Sequence, residues 1–309
     1  MNQLAFIFPG QGSQSVGMLA ALAERSASIR DTFDEASDAL DLDLWALASR
    51  GPEEQLNRTA ITQPVMLAAD VAVWRAWQQE GGEAPSLLAG HSLGEYAALV
   101  AAESISLRDA TALVARRGEL MQSAVKVGQG AMAAILGLED EVVEALCREV
   151  AEGQVVAAAN YNSPGQIVIA GEAAAVERAM HEAKSAGARR AVILPVSVPS
   201  HCALMRPAAA ALEESLASIA IAPPRIAVLH NVDVARRDQA DAIREALSAQ
   251  MYSPVRWTGT IRQMIAEGIE RIAECGPGRV LSGLGRRISR DTEWLTLEDP
   301  ETLRSAAHS

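Results

Sequence analysis

The residues with the clearest chemical potential lie in Gly90-His91-Ser92-Leu93-Gly94. A serine with glycines two positions away on each side is the pattern of a nucleophile elbow. The run Ser86-Leu87-Leu88-Ala89 before it predicts a buried strand, and Glu95-Tyr96-Ala97-Ala98-Leu99-Val100-Ala101-Ala102 after it predicts a helix. Strand, tight turn and helix together would push the Ser92 hydroxyl into the open. The first turn of the helix would aim unpaired N–H groups at an oxyanion forming there. The chemistry indicated is nucleophilic attack by serine.

A serine nucleophile needs a base. The chain has five histidines, His91, His181, His201, His230 and His308. His308 lies in a polar tail and His181 in a charged helical run. His91 adjoins the serine, and neighbouring side chains in a tight turn diverge, so it would support the site rather than take the proton. His230 ends an apolar strand and reads equally well as a satisfied core histidine. His201 stands in a loop stiffened by Pro195 and Pro199, and it is the first choice for the base. One helix downstream of the serine, Leu107, Ala110, Val114 and Met121 form an apolar stripe at about 100° per residue. Arg117 falls on that stripe while Arg116 faces the polar side. A buried guanidinium requires an anion, and its fork suits a carboxylate. That anion is either a substrate carboxylate or an internal Asp or Glu.

These residues need a scaffold. Leu4-Ala5-Phe6-Ile7-Phe8 predicts a buried strand running into Pro9-Gly10-Gln11-Gly12-Ser13-Gln14, a glycine loop before a helix near Gly17-Met18-Leu19. The loop lacks the lysine and hydroxyl of a phosphate loop, so a second oxyanion donor near Gln11 is the better reading. Residues 31–80 predict helices with breaks at Arg50-Gly51-Pro52 and at Gln63-Pro64, with Trp74 and Trp77 as core. From 130 to 196 the rhythm changes to strand, helix, strand, strand, helix, strand, the ferredoxin-like order. The fold class expected is α/β, with an α/β-hydrolase-like body over 1–125 and 198–309 and an inserted ferredoxin-like subdomain over 126–197. Such an insertion would cover the elbow and exclude water from a reactive ester. The end, from about Arg290, predicts weak structure.

Composition excludes several function classes. A net charge of −12 disfavours binding to phosphate backbones or anionic membranes. Hydrophobic residues at 49% and charged residues at 21% are those of an ordinary globular protein, and no apolar run reaches the roughly 18 residues of a bilayer span. Cys147, Cys202 and Cys275 form no metal-type pair, which suits a reducing, cytoplasmic setting.

Taken together, Phe8-Pro9-Gly10-Gln11-Gly12-Ser13-Gln14, Gly90-His91-Ser92-Leu93-Gly94-Glu95-Tyr96, Arg117-Gly118, Asn160-Tyr161-Asn162-Ser163-Pro164-Gly165-Gln166, Val198-Pro199-Ser200-His201 and Glu274-Cys275-Gly276-Pro277-Gly278 resemble the malonyl-CoA:acyl-carrier-protein transacylases of bacterial fatty-acid synthesis. The motifs run the length of the chain in the family's order, with Arg279 where lysine is common. The resemblance implies Ser92 as the acylated nucleophile, His201 as base and Arg117 as clamp for the malonyl carboxylate. It also implies Gln11 and Leu93 as backbone oxyanion donors, and the main-chain carbonyl of Gln250 as the group orienting the histidine. His91, Asn160 and Asn162 join Gln11, Leu93, Arg117 and Gln250 as substrate-side residues. The substrates implied are malonyl-CoA and the phosphopantetheine thiol of acyl carrier protein, with no cofactor, no metal, no nucleic acid and no membrane, in a protein acting as a monomer. Because the family's carrier protein is acidic, docking calls for a local basic patch, for which Lys184, Arg189 and Arg190 or Arg286, Arg287 and Arg290 are candidates. A serine hydrolase, a non-catalytic docking module, a polyketide acyltransferase and a malonate decarboxylase subunit are the rival readings.

Overall fold

The computed structural model describes residues 3–196 and 198–308. The strands are β1 (Leu4–Phe8), β2 (Leu87–Gly90), β3 (Gly130–Leu136), β4 (Val156–Ser163), β5 (Gln166–Glu172), β6 (Arg190–Ile193), β7 (Ala227–Leu229), β8 (Arg271–Glu274) and β9 (Glu293–Thr296). Five of them form one parallel sheet in the order β7-β2-β1-β8-β9. Every residue of β1 is fully buried, which is why this strand reads as an unbroken apolar run rather than an alternating one. β2 and β7 lie on one side of β1 and β8 and β9 on the other, and in such sheets the crevice at the carboxyl ends of the strands, where the order reverses, is where ligands bind. The loops after β1, β2 and β7 all open there.

The other four strands make a separate antiparallel sheet, β4-β5-β3-β6, with the helices Asp140–Glu149 and Ala173–Ser185 as its crossovers. This is the ferredoxin-like arrangement that the strand and helix rhythm predicts. Its strands lie within 130–193. The boundary expected at 197 falls on a residue outside the described ones, as do the outer ends of the body at 1–2 and 309. The small sheet is tied to the body along β4. Tyr161 N–H donates to the Val255 carbonyl at 2.9 Å, Val255 N–H donates to the Ala159 carbonyl at 2.9 Å, and the Thr258 hydroxyl donates to the Tyr161 carbonyl at 3.0 Å. Those bonds fix where β4 presents Asn160 and Asn162.

Two expectations fail, for definable reasons. No break occurs at Gln63-Pro64: the helix Thr59–Gln79 runs through it. Proline there removes only the bond to the Ala60 carbonyl, a cost of about 3 kcal/mol. Burial of Val65, Met66, Leu67 and Val73 outweighs it at roughly 1.5–3 kcal/mol each. The C-terminal end is also structured. Strand β9 completes the large sheet, and the helix Pro300–Ala307 follows, capped by the Asp299 carboxylate and burying Leu303 and Ala306. A four-residue strand is too short for periodicity to announce it, but Asp-Pro at 299–300 is a helix-start signal. Trp74 and Trp77 are core, as expected, set edge-on against Phe6 at 5.4 and 5.1 Å.

Candidate active site

The elbow's shape follows from its glycines. A Cβ on Gly90 would lie 1.8 Å from the Gly94 carbonyl carbon, and one on Gly94 would lie 2.1 Å from the Phe8 carbonyl oxygen. No side chain fits at either position, so the turn packs directly on the end of β1. Ser92, at its apex, is left-handed, with φ +53°. For a residue other than glycine such a conformation is costly and persists only where the surroundings enforce it.

Ser92 Oγ lies 2.8 Å from His201 Nε2, and His201 Nδ1 lies 2.8 Å from the Gln250 carbonyl oxygen. The carbonyl can only accept, so Nδ1 carries the proton and Nε2 is left as the acceptor facing the serine. His201 is nine-tenths or more buried, and burial, with the nearby Arg117 charge as the next cause, lowers its pKa to about 3. A neutral imidazole in hydrogen-bond contact with a serine can take its proton at neutral pH.

Arg117 is fully buried beside this pair. Its Nη1 donates to Gln63 Oε1 at 2.8 Å, and its Nη2 donates to Gln250 Oε1 at 2.9 Å and to Ser92 Oγ at 3.2 Å. The internal Asp or Glu weighed as its partner is absent: among the described residues its hydrogen-bond acceptors are two neutral amides and the serine. Arg116, one residue away, is exposed and pairs with Glu119. The guanidinium therefore faces the cavity with no carboxylate in hydrogen-bond contact; the buried Glu95 carboxylate acts on it only at longer range, through Gln250, and an anionic ligand can still bind it directly.

The cavity has a volume of about 200 Å³, and Gln11, His91, Ser92, Leu93, Arg117, Asn160, Asn162 and His201 are among the residues that line it. The Pro9-Gly10-Gln11 loop abuts the elbow so closely that a Cβ on Gly10 would stand 2.5 Å from the His91 carbonyl oxygen. Among the described residues the backbone N–H groups of Gln11 and Leu93 have no hydrogen-bond acceptor. Two free backbone donors beside a serine are what an oxyanion hole requires. Opposite them His91 Nε2 lies 2.9 Å from Asn162 Oδ1, with its ring edge-on to Trp257 at 5.3 Å. Burial lowers the His91 pKa. Gln250 lies at the bottom of the site rather than on the cavity wall: its carbonyl holds His201 and its side chain holds Arg117. His181 and His308 are exposed, and His230 is buried against Glu95, with Nδ1 2.7 Å from Oε1. Sequence reasoning misses Gln63 and Asn231, whose side chains grip Arg117 and the elbow from 54 and 139 residues away. Amides in helices and loops carry no pattern that would reveal such contacts. Among the described residues no three His, Cys, Asp or Glu side chains are grouped as a metal ion needs, and no helix is long and apolar enough to cross a membrane.

A parallel α/β body, a serine on an elbow, a histidine behind it and two free backbone donors define the acyl-transfer class of serine enzymes. A family model for the acyl transferase domain matches residues 5–288. The chain is 54% identical to the malonyl CoA-acyl carrier protein transacylase of Escherichia coli K12 over 306 residues, 99% of each chain. To that of Bacillus subtilis it is 44% identical over 307 residues, 99% of this chain and 96% of the relative. Among solved structures, the malonyl-CoA:acyl carrier protein transacylase of Xanthomonas oryzae superposes with a TM-score of 0.98 at 55% identity, covering 100% of this chain and 98% of the other. A malonyl-transacylase solved in complex with a type II PKS acyl-carrier protein superposes at 0.97 with 53% identity, covering 99% of both. The chain belongs to the acyl transferase family, in its malonyl CoA-acyl carrier protein transacylase branch.

Proposed function

We propose that this chain moves a malonyl group from malonyl-CoA to the phosphopantetheine thiol of an acyl carrier protein, through a malonyl-Ser92 ester, in support of fatty-acid synthesis. His201 Nε2 takes the Ser92 proton as Oγ attacks the thioester carbonyl. The tetrahedral oxyanion is held by the backbone N–H groups of Gln11 and Leu93, and as it collapses to the ester the C–S bond breaks and the CoA sulfur takes the proton from His201, leaving the imidazole neutral again. The carrier thiol then attacks the ester, giving up its proton to His201, and the serine is released with the proton returned. Arg117 holds the malonyl carboxylate throughout, while His91, Asn160 and Asn162 line the path of the pantetheine arm. The observation that carries this reading is the buried guanidinium beside the serine, hydrogen-bonded only to neutral groups of its own chain.

Residues 126–197 act in this reading as a subdomain inserted between the two parts of the body, 1–125 and 198–309. Because one chain supplies every group of the site, the protein works as a monomer. Its three free, buried cysteines suit the cytoplasm. The experiment that tests the function is turnover of malonyl-CoA with and without holo carrier protein. Transfer predicts CoA release beyond the first turnover only when carrier protein is present. Steady accumulation of free malonate would make the protein a hydrolase.

The carrier protein docks where two candidate basic groups meet. Arg189, Arg190 and Arg287 line one surface pocket, with Arg287 Nη1, on the helix Val280–Ile288, donating to Gln166 Oε1 of β5. Lys184, Arg286 and Arg290 are exposed outside that lining. On the helix Val280–Ile288, Val280 and Leu284 line the cavity and Arg287 lies on the same face. Arg287 thus stands two turns, about 10 Å, along the helix from Val280 and less than one turn from Leu284. Changing Arg190 and Arg287 together to glutamate is expected to raise KM for carrier protein tenfold or more. That corresponds to losing about 1.4 kcal/mol from acidic docking contacts, with kcat/KM for malonyl-CoA kept within about twofold. Unchanged carrier-protein kinetics would place the docking surface elsewhere.

A further inference from the structure

Strand β7 pairs with β2 in the register Leu87 to Ala227, Leu88 to Val228 and Ala89 to Leu229. Continued, that register would set His91 opposite Asn231. In a parallel ladder, the residue opposite His91 donates its backbone N–H to the carbonyl of residue 90 and accepts from the N–H of residue 92. The backbone of Asn231 does neither. Its N–H donates to Glu95 Oε2 at 3.0 Å and its carbonyl accepts from Arg256 N–H at 3.1 Å. The two ladder bonds are made by its side chain instead. Asn231 Nδ2 donates to the Gly90 carbonyl at 2.7 Å, and Asn231 Oδ1 accepts from Ser92 N–H at 2.7 Å. A carboxamide has the donor and acceptor of a peptide group, so it can stand in for one.

The substitution extends the sheet by one rung, to the residue that must be left-handed. Ser92 is gripped on both sides: Asn231 holds its N–H, and Gln250 Nε2 donates to its carbonyl at 3.0 Å. The peptide between Ser92 and Leu93 is planar and trans, so holding the Ser92 carbonyl directs the Leu93 N–H to the opposite side, toward the cavity. Asn231 and Gln250 are themselves joined through the fully buried Glu95, whose Oε2 also accepts from Gln250 Nε2 at 2.9 Å.

We propose that Asn231 is a positioning residue for acyl transfer: its side-chain amide supplies the last rung of the sheet, and that rung holds Ser92 in the left-handed conformation that presents Oγ to His201 and leaves Leu93 N–H free. The proposal rests on the reading of Ser92 as the acyl-carrying serine. It concerns how well the reacting groups are placed, not how substrate is held.

Asn231→Ala and Asn231→Asp are the test, with enzyme concentration set by the amount of serine that can be acylated. The aspartate keeps an acceptor for Ser92 N–H and loses the donor to the Gly90 carbonyl. The expected result is a kcat at least tenfold lower for alanine and intermediate for aspartate. KM for malonyl-CoA stays within about twofold, and the preference for malonyl over acetyl thioester is unchanged. Unchanged kcat per acylatable serine, with only the melting temperature lowered, would overturn the proposal, and so would a shift in acyl preference, which would place Asn231 on the Arg117 side. Amide exchange in the wild-type protein gives an answer even if neither variant folds. The Ser92 N–H is expected to exchange as slowly as those of β2, and exchange at loop rates would remove the rung. Wild-type protein that forms no malonyl-enzyme would refute the functional reading instead, so the two failures are distinguishable.

Discussion

Replacing Arg117 with glutamine is expected to erase the preference for malonyl over acetyl thioester. Removing one member of a buried ion pair costs about 3–5 kcal/mol, because the other charge is left without compensation. At about 1.4 kcal/mol per factor of ten, that is a hundred- to few-thousand-fold discrimination. In the wild-type site the guanidinium is fully buried and bonded to Gln63, Gln250 and Ser92, none of which carries a negative charge. A malonyl carboxylate would supply a directly hydrogen-bonded negative partner, and an acetyl group would not. The variant removes the cation, so kcat/KM for malonyl-CoA should fall by that factor while the value for acetyl-CoA holds or rises. Competition kinetics with the two thioesters measure the ratio directly. A variant that still prefers malonyl would show that selectivity resides elsewhere in the cavity.

Replacing His201 with alanine is expected to lower kcat by about 10²–10⁴, the usual worth of a positioned general base. The pH dependence carries more information. Burial, followed by the Arg117 charge, lowers the His201 pKa from 6.5 to about 3. A lowered pKa means that the imidazole stays neutral, and therefore basic, as pH falls through 6.5. The acid limb of kcat/KM for acetyl-CoA in the wild-type enzyme should accordingly lie well below the ordinary histidine range. Removing the Arg117 charge removes one of the lowering causes, so in Arg117→Gln the same limb should move to higher pH. A limb at the ordinary histidine value in both proteins would contradict the assignment of His201 as the base in this environment.

How much of this is legible in the chain depends on whether a feature is local. The elbow is local: Gly90 and Gly94 must be glycines because no Cβ fits beside Gly94 and Phe8, and their spacing about Ser92 shows it. The inward turn of Arg117 is helical periodicity and needs no tertiary knowledge. The antiparallel subdomain is legible from the alternation of strand and helix over about sixty residues. What Arg117 touches is not local. Its acceptors, Gln63 and Gln250, come from helices far away in the chain, and only the fold shows that neither is a carboxylate. Choosing His201 from five histidines rests on loop context, and the fold adds the 2.8 Å contact to Ser92 that context cannot supply. The two basic groups read as alternatives because 97 residues separate Arg190 from Arg287. They meet in space because the helix after β8 packs against the turn between β4 and β5. Pro64 misleads because a proline penalty is local, whereas the burial that overrides it is not.

The central claim is that Ser92 carries a malonyl group between two thiols. Intact mass after brief exposure to malonyl-CoA, beside Ser92→Ala, and again after adding holo carrier protein, tests it most directly. The account predicts one malonyl increment on the wild-type protein and none on the variant, with the increment moving to the carrier protein once it is added. An increment that survives Ser92→Ala, or one lost as free malonate whether or not carrier protein is present, would contradict it.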